Sequence, residues 1–168
     1  DEVLFISCAI DMQRDRLELE IVGWGVGFER WGLKYEIIKG VYNEEYLWEE
    51  LKQVLETPLM REDGREQKIM TTFIDAHDGV VTEYVNKFCA KNKPLKVFAI
   101  HGRGGKNLKP IHKKNKDEKY HNTYFTLGVD TLKNMGAYAL KIEAPGKGYC
   151  HYPKGSGYDS NYYRMLTA

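Results

Sequence analysis

Cysteine and proline are scarce in this chain, three and five among 168 residues. Cys8, Cys89 and Cys150 are odd in number and far apart, with no C-x-x-C spacing. That pattern excludes a disulfide framework and a thiolate zinc site, and it predicts reduced thiols in a cytosol-like compartment. Long apolar runs are also missing. A membrane-spanning helix needs about 20 consecutive apolar residues, and stretches such as Val3 to Ile6 fall far short. The sequence has no G-x-x-x-x-G-K-[ST], so no P-loop is expected within it. Neither charge is in excess, since 25 basic and 24 acidic residues leave a net +1. The opening residues, Asp1-Glu2-Val3-Leu4, include no Met and no basic leader. They read as the start of a strand, and the expectation is a piece of a longer protein.

What is present fits one soluble globular domain over residues 1–168, with 42% hydrophobic and 29% charged residues. The balanced charge hides a gradient. Residues 1–60 hold 13 acids and 6 bases, net −7, and residues 61–168 hold 11 acids and 19 bases, net +8. Such asymmetry can mark a polyanion-binding region in one part of a chain.

Val3 to Ile10 is almost continuously apolar, as in a strand buried on both faces. Leu17, Leu19 and Ile21 then alternate with Glu18 and Glu20, and Trp31, Leu33, Tyr35 and Ile37 alternate with polar residues after a glycine-rich link. Short connections make this an antiparallel meander of three strands. Leu47, Leu51, Val54 and Leu55 recur at helical spacing between a cap at Asn43 and a stop at Pro58. Arg61 to Gln67 reads as a charged loop. Ile69 to Ile74 predicts a strand, followed by a helix started by Asp78 or Gly79 and burying Val81, Tyr84, Val85, Phe88 and Cys89. Leu95 to Ile100 is a further strand. The expected fold is therefore α/β, with a mixed sheet whose meander is joined to parallel strands and flanked by helices. Gly102 to Asn122 is basic and glycine-rich, which predicts a functional or mobile loop. Beyond it come a strand-like Tyr124 to Val129, a helix from Thr131 to Leu140 with Leu132, Met135 and Ala139 inward, and a short helix from Tyr158 to Leu166.

Two strands end in an aspartate, Ala9-Ile10-Asp11 and Phe73-Ile74-Asp75. If these strands are parallel neighbours, the carboxylates meet at one edge of the sheet, where a cation would relieve their repulsion. Oxygen ligands suit Mg²⁺ or Mn²⁺, and two such ions about 4 Å apart can activate a water and stabilise the leaving oxygen in phosphodiester cleavage. A third acid is needed, and Asp130 stands at the start of a predicted helix. Taken singly, a strand-end aspartate is more often a turn former or a cap, and Asp15 and Asp78 are read that way. His77 and His151 are candidate supporting groups with an equally plausible plain loop role. Arg103, Lys106, Lys109, Lys113, Lys114, Lys116 and Lys119, spaced by Gly102, Gly104 and Gly105, can grip a phosphate backbone without sequence choice. A solvated loop is the plainer account of the same run. Tyr149, Tyr152, Tyr158, Tyr162 and Tyr163 offer rings that can stack on bases, although core or boundary positions account for most of them.

Several ordered blocks resemble the nuclease domain of phage terminase large subunits of the GpA type. They are Ala9-Ile10-Asp11-Met12-Gln13-Arg14-Asp15-Arg16-Leu17-Glu18 with Val22-Gly23-Trp24-Gly25, then Thr72-Phe73-Ile74-Asp75, Val97-Phe98-Ala99-Ile100 with its basic loop, and Gly128-Val129-Asp130-Thr131-Leu132-Lys133. Pro145-Gly146-Lys147-Gly148-Tyr149-Cys150-His151-Tyr152-Pro153 and Tyr163-Arg164-Met165-Leu166-Thr167-Ala168 are similar to the closing block. The resemblance implies an RNase H-like fold joined to an N-terminal packaging ATPase, acting in the host cytoplasm on concatemeric double-stranded DNA with a small subunit and a procapsid portal as partners. It implies Asp11 and Asp75 as ligands of two Mg²⁺ or Mn²⁺ ions, Asp130 as the third acid, and Lys133 as a phosphate contact or a support for that acid. His101 stands where the resemblance leads one to expect lysine. Two rivals share the sheet: a resolvase- or transposase-like nuclease, and a non-catalytic module that binds DNA or a partner.

Overall fold

The computed structural model describes residues 2–77 and 79–166, so Asp1, Asp78, Thr167 and Ala168 lie outside the described residues. In chain order the elements are β1 (Phe5–Met12), β2 (Arg16–Trp24), β3 (Arg30–Lys39), α1 (Glu45–Glu56), β4 (Leu59–Met60), β5 (Glu66–Gln67), β6 (Ile69–Asp75), α2 (Gly79–Lys91), β7 (Val97–Arg103), β8 (Ile111–Lys116), β9 (Thr123–Gly128), α3 (Val129–Ala139), β10 (Cys150–His151) and α4 (Ser160–Leu166). One eight-stranded sheet runs β10-β3-β2-β1-β6-β7-β9-β8. The meander β1-β2-β3 is antiparallel, and β1, β6, β7 and β9 are mutually parallel. This mixed, helix-flanked sheet is the RNase H-like α/β architecture expected. Among the described residues no helix is long and apolar enough to cross a membrane.

The core occupies one face. Leu47, Leu51 and Leu55 of α1 and Val81, Val85, Phe88 and Cys89 of α2 pack over Ile6, Cys8, Ile10, Leu17, Leu19 and Ile74. The same burial pushes the thiols of Cys8 and Cys89 up to about 12, so both stay protonated. On the opposite face cover is partial. α4 and the chain before it lie over β2 and β3, where Tyr158 and Tyr162 donate to Glu20 Oε1 at 3.1 and 2.9 Å. Most of the C-terminal tyrosines thus form a packed cluster.

Several expectations change. β1 is buried on one face only, with Phe5 and Ser7 half-buried and Ala9 and Asp11 exposed on the other. A register shift at Ile21/Val22 moves the buried position of β3 from Ile37 to Ile38. Glu44, not Asn43, precedes α1, and its Oε2 accepts the Val41 N–H at 2.7 Å. Residues 61–67 close a short hairpin, β4 to β5, instead of a plain loop. The stretch 102–122 is not one long loop, since β8 pairs antiparallel with β9 as the sheet's edge. Its lysines suit an edge strand, where charge prevents pairing with other chains. No residue of α3 is buried, so Leu132 and Met135 do not point into a core.

Candidate metal and nucleic-acid site on the open face

β1 and β6 lie side by side with Ile10 opposite Ile74, and both of those side chains are buried beneath the helices. Strand alternation turns the next residues, Asp11 and Asp75, to the open face on backbones about 4.8 Å apart. Local contacts hold each carboxylate. Gln13 Nε2 donates to Asp11 Oδ2 at 2.5 Å, and the His77 N–H donates to Asp75 Oδ1 at 3.1 Å. Each keeps a second oxygen directed at no protein donor among the described residues. Two adjacent anionic oxygen donors with room for water match the way Mg²⁺ is usually held, by one or two carboxylates plus phosphate and water.

Asp130 sits further along. β7 separates β6 from β9, and Gly128 is level with Arg103, three positions beyond Ile100, which is level with Asp75. Asp130 Oδ2 accepts the Gly105 N–H at 2.8 Å, and Thr131 Oγ1 donates to the Leu108 carbonyl. These bonds tie the chain after β7 to the start of α3. Among the described residues no three His, Cys, Asp or Glu side chains converge closely enough to hold a metal ion. The structure therefore pairs Asp11 with Asp75 and leaves Asp130 apart. Lys133 is exposed on α3.

His77 lies beside the pair through its backbone. His101 shares the alternation of buried Val97 and Ala99, so its ring points to the helix-covered face, edge-on to Tyr124 at 5.2 Å. Burial pushes its pKa down, the Asp75 carboxylate opposes that, and His77 adds to it. His151 is elsewhere. It is level with Trp31, which pairs with Gly23, which pairs with Ile6, so it lies at the far end of the sheet from Asp11. There it stacks on Trp31 at 4.9 Å and bonds Glu29 Oε1 at 2.7 Å. That bond is the main reason the Glu29 carboxyl lies below its ordinary value.

Of the cationic set, Arg103 ends β7, and Lys113, Lys114 and Lys116 project from exposed positions of β8. Lys106 and Lys109 line a groove beside α3. Lys119 is already engaged, with Nζ 3.2 Å from Glu83 Oε1. Two acidic positions were not legible as special. Glu83 also accepts from the Tyr120 hydroxyl and pairs with Lys87, which holds its carboxyl down at about 2. Glu20, in a strand that reads as wet on that side, is half-buried under tyrosines, and desolvation raises its pKa despite their hydrogen bonds.

This geometry now meets the comparison with known proteins. The family described as "Terminase large subunit gpA, endonuclease domain" matches residues 1–168. The chain belongs to that family. It is similar to the "Terminase, large subunit" of Escherichia phage lambda, with 27% identity over 174 residues. The match covers 100% of this chain and 27% of the lambda protein, so the chain spans about a quarter of that relative's length. An endonuclease domain, and so a hydrolase of phosphodiester bonds, is the class this membership gives.

Proposed function

We propose that this chain is the Mg²⁺- or Mn²⁺-dependent endodeoxyribonuclease part of a DNA-packaging terminase, cutting concatemeric double-stranded DNA. The observation that carries this reading is the placement of Asp11 and Asp75 on neighbouring parallel strands, facing the uncovered side of the sheet. Asp11 and Asp75 would hold one divalent ion, and Asp130 is the acid proposed for a second. Two such ions supply an activated water and charge stabilisation at the leaving oxygen. The chain's own residues do the remaining work. Gln13 orients Asp11, and the His77 N–H orients Asp75. The Gly105 N–H holds Asp130 by Oδ2 and leaves Oδ1 for an ion. Arg103 and the β8 lysines are placed to hold the DNA backbone by charge, without sequence choice. A packaging ATPase in the longer protein, a small subunit and a portal as partners, and a place in the host cytoplasm belong to the same proposal.

Plasmid nicking in Mn²⁺ tests it, with the parent compared against Asp75→Asn. Nicking by the parent and its loss in the variant are expected. Equal cleavage by the two proteins would sink the assigned site, and no cleavage with any divalent ion would leave a DNA- or partner-binding module instead.

A further inference from the structure

Beside Asp130 lies a groove of about 1620 Å³ between α3 and the turn joining β2 to β3. That exceeds the ~1,000 Å³ upper end of small-molecule sites. Its walls are apolar and uncovered. On α3, Met135 is 56% exposed and Tyr138 74%, and across the groove Phe28 is 75% exposed. Phe28 is displayed in an unusual way, with φ at 64°, a left-handed conformation that bulky residues rarely adopt. The turn is pinned in that shape. Gly148 N–H donates to the Gly27 carbonyl at 3.1 Å, and Gly146 N–H donates to Glu29 Oε1 at 2.9 Å. A fixed aromatic residue opposite an apolar helix face is pre-organised for contact and loses little freedom on binding.

Charge selects the occupant. The groove is lined by Arg30, Lys106, Lys109 and Lys147 against one carboxylate, Asp130, which already accepts the Gly105 N–H. Apolar walls with a cationic rim complement an amphipathic helix with acidic flanks. Duplex DNA suits the rim but not the walls, because phosphates set against Phe28, Met135 and Tyr138 would lose water and gain no hydrogen bond. A second copy has no spare helix of this kind among its described residues. α1 is acidic and amphipathic, but its Leu47, Leu51 and Leu55 are buried in its own core.

We propose that this groove docks an acidic amphipathic helix of a partner protein, its apolar side against Phe28, Met135 and Tyr138 and its carboxylates against Lys106, Lys109 and Lys147. The groove borders the proposed nuclease site at Asp130, but its apolar contacts include none of the three carboxylates assigned there.

Fluorescence anisotropy on the 168-residue chain tests it. The probe is a labelled peptide of about 18 residues, ~27 Å of helix, with leucines on one side and glutamates on its flanks. Saturable binding is expected, falling with added salt, and lost when the glutamates are replaced by lysines. The double variant Met135→Ala, Tyr138→Ala, which leaves the charge unchanged, should weaken it by about tenfold or more at an unchanged melting temperature. Equal binding of the lysine peptide, or no saturable binding, overturns the proposal. So does displacement by a short DNA duplex whose own affinity drops in the double variant, which gives the groove to DNA. A concentration-dependent dimer that the double variant abolishes overturns it as well, in favour of a second copy.

Discussion

On one face of the sheet Leu17, Leu19 and Ile74 are wholly buried beneath α1 and α2, while on the other Ala9 and Asp11 of β1 look outward. The same strands build both surfaces, because alternation sends every second residue to the opposite side. The closed face therefore carries the stability and the open face is free to hold groups that folding disfavours. Adjacent carboxylates, uncovered phenylalanines and a cationic edge would each be costly in a core. Phe73, Phe98 and Phe125 illustrate the point, since they are only half-buried and pack against one another at 5.5 to 6.1 Å.

Substitutions on the two faces should therefore fail in different ways. The largest expected effect is on the closed face, where Leu51→Ala should cost about 2–5 kcal/mol of unfolding free energy in urea titration. A change within about 0.5 kcal/mol, the range of surface substitutions, would break the contrast. Asp11→Asn should behave in the opposite way. Nicking should fall by at least about 100-fold, ~2.7 kcal/mol of barrier, while the melting temperature holds or rises as the repulsion from Asp75 is relieved. A variant that unfolds would place Asp11 in the framework and not in the site.

Legibility followed the same division. β2 and α2 are readable because burial on one side imposes a period on the residues, and the apolar runs into Asp11 and Asp75 mark β1, which continues one residue further to Met12, and β6, which ends at Asp75. Failures fell where burial is incomplete. β8 has no apolar period, because an exposed edge strand is held by backbone hydrogen bonds that leave little trace in side chains. α3 has an apolar stripe but no partner for it within the described structure, so a pattern that predicts a core helix marks an open groove wall instead. The slip from Ile37 to Ile38 comes from a bulge, which inverts alternation without altering composition. In the site, the Asp11–Asp75 pairing follows from parallel neighbours, whereas the position of Asp130 depends on a backbone bond to Gly105 that no spacing encodes.

The β8 edge of the sheet, where Lys113 and Lys114 alternate between the two faces, gives a smaller effect. Charge reversal at Lys113 and Lys114, both exposed on β8, should weaken DNA binding uniformly across sequences. The slope of log K against log salt should flatten by about 2, roughly 0.9 per lost phosphate contact. An unchanged slope in the same titration would mean that these lysines protect the sheet edge and do not touch phosphate.

The smallest effect sharpens the comparison at the one part of the open face that is well covered. Glu20 lies under Tyr158 and Tyr162, and burial raises its pKa above the ordinary carboxylate value. A proton is then bound more tightly in the folded chain than in the unfolded one. The stability this contributes is complete below the ordinary pKa and is lost as pH rises through the folded value. Glu20→Gln keeps an oxygen to accept from the tyrosines and removes the charge that burial penalises. It should raise the melting temperature at pH 8 and do little at pH 4. Glu83 has the reverse sign. Its pKa is held near 2 by Tyr120, Lys119 and Lys87, so its contribution is present above the ordinary value and lost as pH falls toward 2. Glu83→Gln should leave the protein slightly less stable at pH 7 and unchanged near pH 2. If both variants shift the melting curve equally at every pH, the tyrosine cover over Glu20 does not desolvate it, and that part of the face is as open as the surface around Asp11.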